Sequence, residues 1–314
     1  MGSEMCIRDR GKSLPDAVRM FDRQAPNIPD VVAFPETDEQ VLAVMDWASE
    51  VGAAVIPFGG GSSVVGGVEP IVGGDFSGVV TLSTKRMAGV IEVDETSRAA
   101  RVRGGSSVPN IEAALKPHGL TLRHYPQSFS MATLGGMIAT RSGGHFAMLY
   151  THIDDFVESV RTVTPAGVME SRRLPGSGAG PSPDRLIMGS EGSLGVITEA
   201  WMRLQDRPTY RASASIRFTG PDGFLRGAEA VRALVQSGLG PTNCRLLDAG
   251  EALQSGAAAG DAAVLVLGFE SADHGLEAWM KRATEICADA GGDCLLYTSP
   301  SPRDLSTSRM PSSA

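Results

Sequence analysis

The sequence has no excess of basic residues: among 314 residues, 28 Lys and Arg stand against 36 Asp and Glu, for a formal net charge of −8. A nucleic-acid footprint or an anionic-membrane footprint is thereby disfavoured. Long hydrophobic runs are also missing. Stretches such as Ala262 to Phe269 fall well short of the ~20 apolar residues that a bilayer requires, so no transmembrane segment is expected. Four cysteines in a chain of this length do not make a disulfide framework, and a reducing cytoplasm is the default setting. No histidine stands at metal-ligand spacing from a second His or Cys, so no metal site is expected. What is present is an apolar fraction of 42%, ample for a large core, in a length that suggests roughly two domains.

The ends read differently from the middle. Met5-Cys6-Ile7-Arg8-Asp9-Arg10 back-translates as ATG TGT ATA AGA GAC AGN, and Cys294-Leu295-Leu296-Tyr297-Thr298-Ser299 as TGT CTC TTA TAC ACA TCT. The two are reverse complements over their overlap, the relation produced when one sequencing adapter flanks an insert on both sides. Residues 1–10 and 294–314 are therefore expected to be translated adapter and are set aside from fold reasoning. The remainder, Gly11 to Asp293, carries about −9, holds only Cys244 and Cys287, and is expected to be a fragment cut at both ends.

After a leading segment, 11–26, Asp30 to Phe34 reads as a short strand. Thr37-Asp38-Glu39-Gln40 is a capping box, and Val41, Val44, Met45, Ala48 and Val51 follow at helical spacing up to Gly52. Ala53 to Pro57 is a buried strand that completes a β-α-β beginning and enters a glycine-rich loop. Val79 to Leu82, Gly89 to Val93 and Ala99 to Val102 read as strands, and Pro109 to Leu115 as a short helix. Val157 to Thr164 and Val168 to Ser171 form a hairpin around Pro165-Ala166-Gly167, and Leu174 to Pro183 is a loop. Beyond Arg207 the pattern changes. Ala212, Ala214, Ile216 and Phe218 alternate as a strand, followed by a helix with Phe224, Ala228, Val231, Leu234 and Val235 on one face. Ala263 to Phe269 and a helix with Leu276, Trp279, Met280, Ala283, Ile286 and Cys287 facing inward make a second unit of the same kind.

Three segments carry the chemistry. Pro57-Phe58-Gly59-Gly60-Gly61-Ser62-Ser63-Val64-Val65-Gly66-Gly67 follows a strand and bears no charge. Successive glycines allow a tight turn whose N–H groups converge on an anion, and a pyrophosphate is the natural occupant. The loop lacks the third glycine of the Rossmann fingerprint and the lysine of a P-loop. The second segment, Pro126-Gln127-Ser128 through Thr133-Leu134-Gly135-Gly136-Met137-Ile138-Ala139-Thr140, places paired glycines after hydroxyl residues, as does backbone running against a flat ligand or a tightly packed helix start. The third is Glu191-Gly192-Ser193-Leu194-Gly195-Val196-Ile197. Each is weak singly; in this order and spacing they are strong together.

On these motifs the chain resembles the FAD-binding domain of the vanillyl-alcohol-oxidase and p-cresol-methylhydroxylase (PCMH) superfamily. Within it the chain looks most like the alkyldihydroxyacetonephosphate synthases and bacterial FAD-linked relatives. The string Ser142-Gly143-Gly144, the stretch Tyr150 to Asp155 and Asn243-Cys244-Arg245-Leu246-Leu247-Asp248 add to the resemblance, which spans Pro26 to Asp293. It implies an α+β fold: a two-subdomain PCMH-type FAD-binding domain over 27–206, then the start of an α+β cap over 207–293. It implies that Pro57 to Ser63 wraps the pyrophosphate of a non-covalent FAD. Pro126 to Thr133 and Leu134 to Thr140, with Ser142 and Gly143, would line the flavin and ribityl chain, and Glu191 to Ile197 would contact the adenosine side. Relatives carry serine where Ala132 stands, which removes one hydroxyl.

The resemblance also implies exchange of an acyl for an alkyl group on dihydroxyacetone phosphate, a step of ether-lipid synthesis. The alternatives are an FAD-dependent D-2-hydroxyacid dehydrogenase and a non-catalytic FAD module. The family's acid/base cluster is expected beyond Asp293, so no catalytic residue is assigned and the chain as it stands is expected to be inactive. Arg245 is singled out either for an anionic substrate headgroup or as a salt-bridge partner. His145 invites comparison with a covalent flavin ligand but lies outside the pyrophosphate loop, and Cys244 has no neighbour to lower its pKa. The expected partner is a small-molecule or lipid-precursor substrate. The setting is a bacterial-type cytoplasm, with a peripheral membrane association and a homodimer left open.

Overall fold

The computed structural model describes residues 8, 10–146, 148–150, 152–174, 178–257 and 261–298. Most of the two ends read as adapter therefore lie outside the described residues, as does Thr151. Arg8 is described and buried, with its guanidinium 5.3 Å from the centroid of the Phe58 ring. The chain forms two compact units, one of residues up to His145 together with His152–Gln205, the other of Phe146–Thr151 and the residues from Asp206 on. The short excursion 146–151 was not anticipated from sequence.

In the first unit, the Asp38–Val51 helix starts where Thr37 accepts a hydrogen bond from the Gln40 amide, and it ends at Gly52 with φ 70°. The Gln40 side chain reaches back to the Glu36 amide at 2.7 Å, one residue earlier than a reciprocal capping box requires. Val41, Met45 and Ala48 are buried on one face, each large apolar side chain contributing about 1.5–3 kcal/mol; Val51 is exposed. The strands flanking this helix, Val31–Ala33 and Ala54–Phe58, both pair parallel with Val79–Ser83, which lies between them. All five residues of that central strand are buried, as expected of a parallel strand covered on both faces.

A second, antiparallel sheet follows the order Val90–Asp94, Ala99–Arg103, Val196–Arg203, Val157–Thr164, Gly167–Glu170. The Leu134–Ala139 helix starts against it, with the Gly135 amide donating to the Gly104 carbonyl at 2.7 Å. The loop expected at Leu174 to Pro183 leads, among the described residues, into a short helix at Pro183–Ile187.

The second unit is a four-stranded antiparallel sheet in the order Asn243–Leu247, Ala263–Ser271, Tyr210–Phe218, Asp293–Thr298. The helices Gly223–Gln236 and Glu277–Asp289 share one hydrophobic core with it. Ala212, Ala214, Ile216 and Phe218 meet Leu265, Leu267, Phe269, Met280 and Ala283 there. The strand at Asn243–Leu247 and the Ala249–Gln254 helix, capped by Asp248, had not been read from sequence.

The face of the first helix needs correction. Gly223, Gly227, Ala230 and Leu234 are buried, whereas Phe224 and Val235 are 48% and 50% exposed. The reason is close approach. A Cβ on Gly223 would stand 2.4 Å from the Phe218 carbonyl oxygen, so the glycine side lies on the strand and the larger side chains turn out.

Candidate cofactor-binding site

A cleft of about 440 Å³, within the ~300–1,000 Å³ usual for ligand sites, lies wholly in the first unit. Its wall is built from three stretches far apart in the chain: 57–68, 126–143 and 191–197. The first leaves the Ala54–Phe58 strand and lies directly on the second. A Cβ added to Gly60 would stand 1.9 Å from the Met131 carbonyl oxygen. No side chain fits there, and the glycine is what lets the two backbones meet.

Thr133 sits at this junction, just before the Leu134–Ala139 helix, with no side-chain cap bond. It is 7% exposed, and its buried hydroxyl has no hydrogen-bond partner although it lines the cleft. A buried hydroxyl without a partner is costly, and a ligand oxygen in the cleft would relieve it. Nearby, Ser63 Oγ accepts from the Gly67 amide at 3.2 Å. Ser142 Oγ lies 2.9 Å from Nε2 of His124. His124 is 1% exposed; burial, aided by the neighbouring His152, lowers its pKa to about 4, so its imidazole is neutral and serves as a fixed partner for Ser142.

The titratable side chains of the lining are Arg141 and Glu191. Both have left-handed backbone, φ 49° and 53°, a conformation that non-glycine residues adopt uncommonly. The two positions are linked through one helix end, the Arg141 amide donating to the Ile138 carbonyl and the Glu191 amide to the Ala139 carbonyl. Burial raises the pKa of Glu191.

Of the residues selected from sequence, Pro57 to Ser63, Pro126, Ser128, Thr133, Gly135 to Met137, Ala139, Thr140, Ser142, Gly143, Glu191, Gly192 and Gly195 to Ile197 line the cleft. Gln127 is exposed beside it. Leu134 and Ile138 are fully buried in the core, so their side chains support the helix rather than the cavity. Ser193 folds its hydroxyl onto the Ser190 carbonyl at 2.6 Å, and Leu194 is 40% exposed. Beyond the residues assigned to the cofactor from sequence, Val64, Val65, Gly67, Val68, Thr84 and Arg141 also line the cleft. For most of them continuity was the available signal, since they adjoin residues already selected.

Other candidates lie elsewhere. His145 is exposed and is not among the lining residues; its amide bonds to the Tyr125 carbonyl. Arg245, in the second unit, pairs with Glu251. Burial raises the Cys244 thiol to about 11 and the Cys287 thiol to about 12, so neither is a ready nucleophile. Among the described residues no cluster of three metal-capable side chains occurs, and no helix is long and apolar enough to cross a membrane.

A glycine-serine loop that bears no charge, an unpartnered buried hydroxyl and one arginine, with Glu191 the acid of the lining, suit a diphosphate-bearing dinucleotide. Residues 29–171 match the FAD binding domain family. Over those residues the chain carries a PCMH-type FAD-binding domain, with FAD as its cofactor, and its relatives include FAD-linked oxidoreductases. An alkyldihydroxyacetonephosphate synthase of Dictyostelium discoideum is 38% identical over 238 residues, 76% of this chain and 38% of that protein. One from Trypanosoma brucei brucei is 30% identical over 81% of this chain and 41% of its own length. The mitochondrial D-lactate dehydrogenase [cytochrome] of Arabidopsis thaliana is 33% identical over 72% of this chain and 38% of its own. Two solved alkyldihydroxyacetonephosphate synthase structures superpose with TM-scores of 0.81 and 0.82 at 30% identity, over 93% of this chain and 56% and 57% of theirs. The chain thus spans about two fifths of the curated synthases and just over half of the solved ones.

Proposed function

We propose that the cleft between 57–68, 126–143 and 191–197 holds FAD and that the whole protein is an alkyldihydroxyacetonephosphate synthase-type enzyme. The observation that carries the cofactor assignment is the unpartnered Thr133 hydroxyl, buried where the Gly59–Gly61 backbone meets the second segment. In this reading the 57–63 loop takes the pyrophosphate on its N–H groups and on the Ser62 and Ser63 hydroxyls. Thr133 and Ser142 orient the flavin and ribityl portion, and the 191–197 stretch excludes water from the adenosine side. FAD supplies the reactive chemistry when bound, while the protein supplies position and electrostatics. Among the described residues the lining holds Arg141 and Glu191 as its titratable side chains and no histidine, tyrosine or cysteine to relay a proton, so the 314-residue chain is expected to bind FAD without turning over.

A second reading, an FAD-dependent D-2-hydroxyacid dehydrogenase, is favoured by the similarity to the Arabidopsis enzyme. Purified chain incubated with FAD should turn yellow and release the flavin on denaturation; a protein that stays colourless would defeat the cofactor assignment. The parent gene product should exchange the acyl group of acyl-dihydroxyacetone phosphate for a fatty alcohol. Flavin bleaching by D-lactate with no such exchange would favour the dehydrogenase.

A further inference from the structure

Asp154 grips a cleft-lining arginine without being part of the cleft wall itself. Its side chain is 3% exposed, and its Oδ2 accepts from two arginines, Arg141 Nη2 at 2.7 Å and Arg185 Nη1 at 2.6 Å. Its Oδ1 is buried without a partner. Burial tends to raise its pKa, but the hydrogen bond from Arg141 and the charges of both arginines hold it below the usual carboxylate range. The two cations differ in place: Arg141 lines the cleft and Arg185 does not.

The path of the Arg141 side chain is prepared as well. A Cβ on Gly189 would stand 2.8 Å from Arg141 Cδ, so Gly189 leaves the groove through which the arginine stem passes to Asp154. Arg141 holds a left-handed backbone, a strained conformation that persists where surrounding contacts over-determine it. One carboxylate facing two guanidinium groups leaves Arg141 with donors that Asp154 does not take up, and Arg141 is the cation of a wall whose acid is Glu191.

We propose that Asp154 is a positioning residue for the cofactor: its buried carboxylate clamps Arg141 at the wall of the cleft, where the guanidinium offers its remaining donors to the anionic portion of FAD. This rests on the reading that the cleft takes FAD. A long arginine otherwise loses much rotamer freedom on binding, and a fixed fork removes part of that cost beforehand.

The test is FAD titration of the full 314-residue chain, with thermal unfolding of each apoprotein alongside. Arg141→Ala and Asp154→Asn should each weaken FAD binding by roughly tenfold, and the double variant should be no weaker than Arg141→Ala alone, because the acid acts through the arginine. Guanidinium ion, at concentrations far below those that unfold the protein, should restore binding to Arg141→Ala but not to the double variant. Arg185→Ala, which keeps Asp154 and frees it for Arg141, should bind within about twofold of wild type. Asp154→Asn binding like wild type, equal losses from Asp154→Asn in both backgrounds, or guanidinium rescue independent of Asp154 would each overturn the positioning role alone. Should Asp154→Asn fail to fold, a loss in Arg185→Ala matching that of Arg141→Ala overturns it equally. A wild-type chain that takes up no FAD defeats the cofactor reading itself, and the positioning role with it.

Discussion

The two units use glycine for opposite purposes. In the first, Gly60 lies where a Cβ would meet the Met131 backbone oxygen at 1.9 Å, and the contact shapes a cleft. In the second, a Cβ on Gly227 would meet the Leu246 Cδ1 methyl at 2.7 Å, and the contact seats a helix on a filled core. Backbone cannot step aside, whereas a leucine tip can rotate. Identical residue types therefore shape a cleft in one unit and a packed core in the other.

The sharpest way to separate the units is Phe269→Ala. Phe269 is 1% exposed and packs edge-on against Trp279 at 6.1 Å. Its truncation should destabilise the second unit by about 3–5 kcal/mol, read by hydrogen exchange over 210–298. FAD affinity should stay within about twofold, since the lining residues all belong to the first unit; a parallel loss of affinity would break the comparison.

Next in size is a pH effect confined to the first unit. Folded His124 titrates near 4 against 6.5 when unexposed to the fold, so between these values the unfolded chain takes up a proton that the folded one refuses. Its contribution is present above pH 6.5 and lost as pH falls toward 4, a change of ~3 kcal/mol. Urea unfolding of wild type and His124→Gln at the two ends of that window should show a shallower pH dependence in the variant.

The glycine contrast follows. Gly60→Ala should weaken FAD uptake by about tenfold or more, because overpacking costs about 1–3 kcal/mol and here separates two backbones. Gly227→Ala should change stability by less than about 1 kcal/mol, the gain in helix propensity offsetting the leucine's adjustment, and should leave FAD binding alone. Equal effects at the two positions would remove the distinction. Smallest of all is Arg245→Ala. Its ion pair with Glu251 joins two side chains that are 57% and 46% exposed, and exposed pairs are worth about 0–1 kcal/mol, so the thermal midpoint should barely move.

Much of the fold was legible because the signals were local. Thr37 and Gly52 delimit a helix through bonds to its own turns. Alternation at Ala212, Ala214, Ile216 and Phe218 predicts a half-buried strand, and all four are buried. The helix face at Gly223–Gln236 was misread for the complementary reason, since apolarity points to Phe224 and Val235 while burial followed the glycines that touch Phe218 and Leu246. At the site, the glycine and serine loops were visible in sequence, but Arg141 was not: thirteen residues separate it from Asp154, and a charged residue at that distance carries no pattern.

The sequence by itself determined where many of the helices and strands lie, which loops could admit a phosphate, and which family the chain resembles. These depend on capping, periodicity and backbone freedom within a few residues. Only the tertiary structure decided that 57–68, 126–143 and 191–197 form one cleft, that Thr133 enters it without a partner, and that one buried acid holds its arginine. Strand order and contacts between residues well outside one helical turn or one hairpin set those relations, and no local preference encodes them.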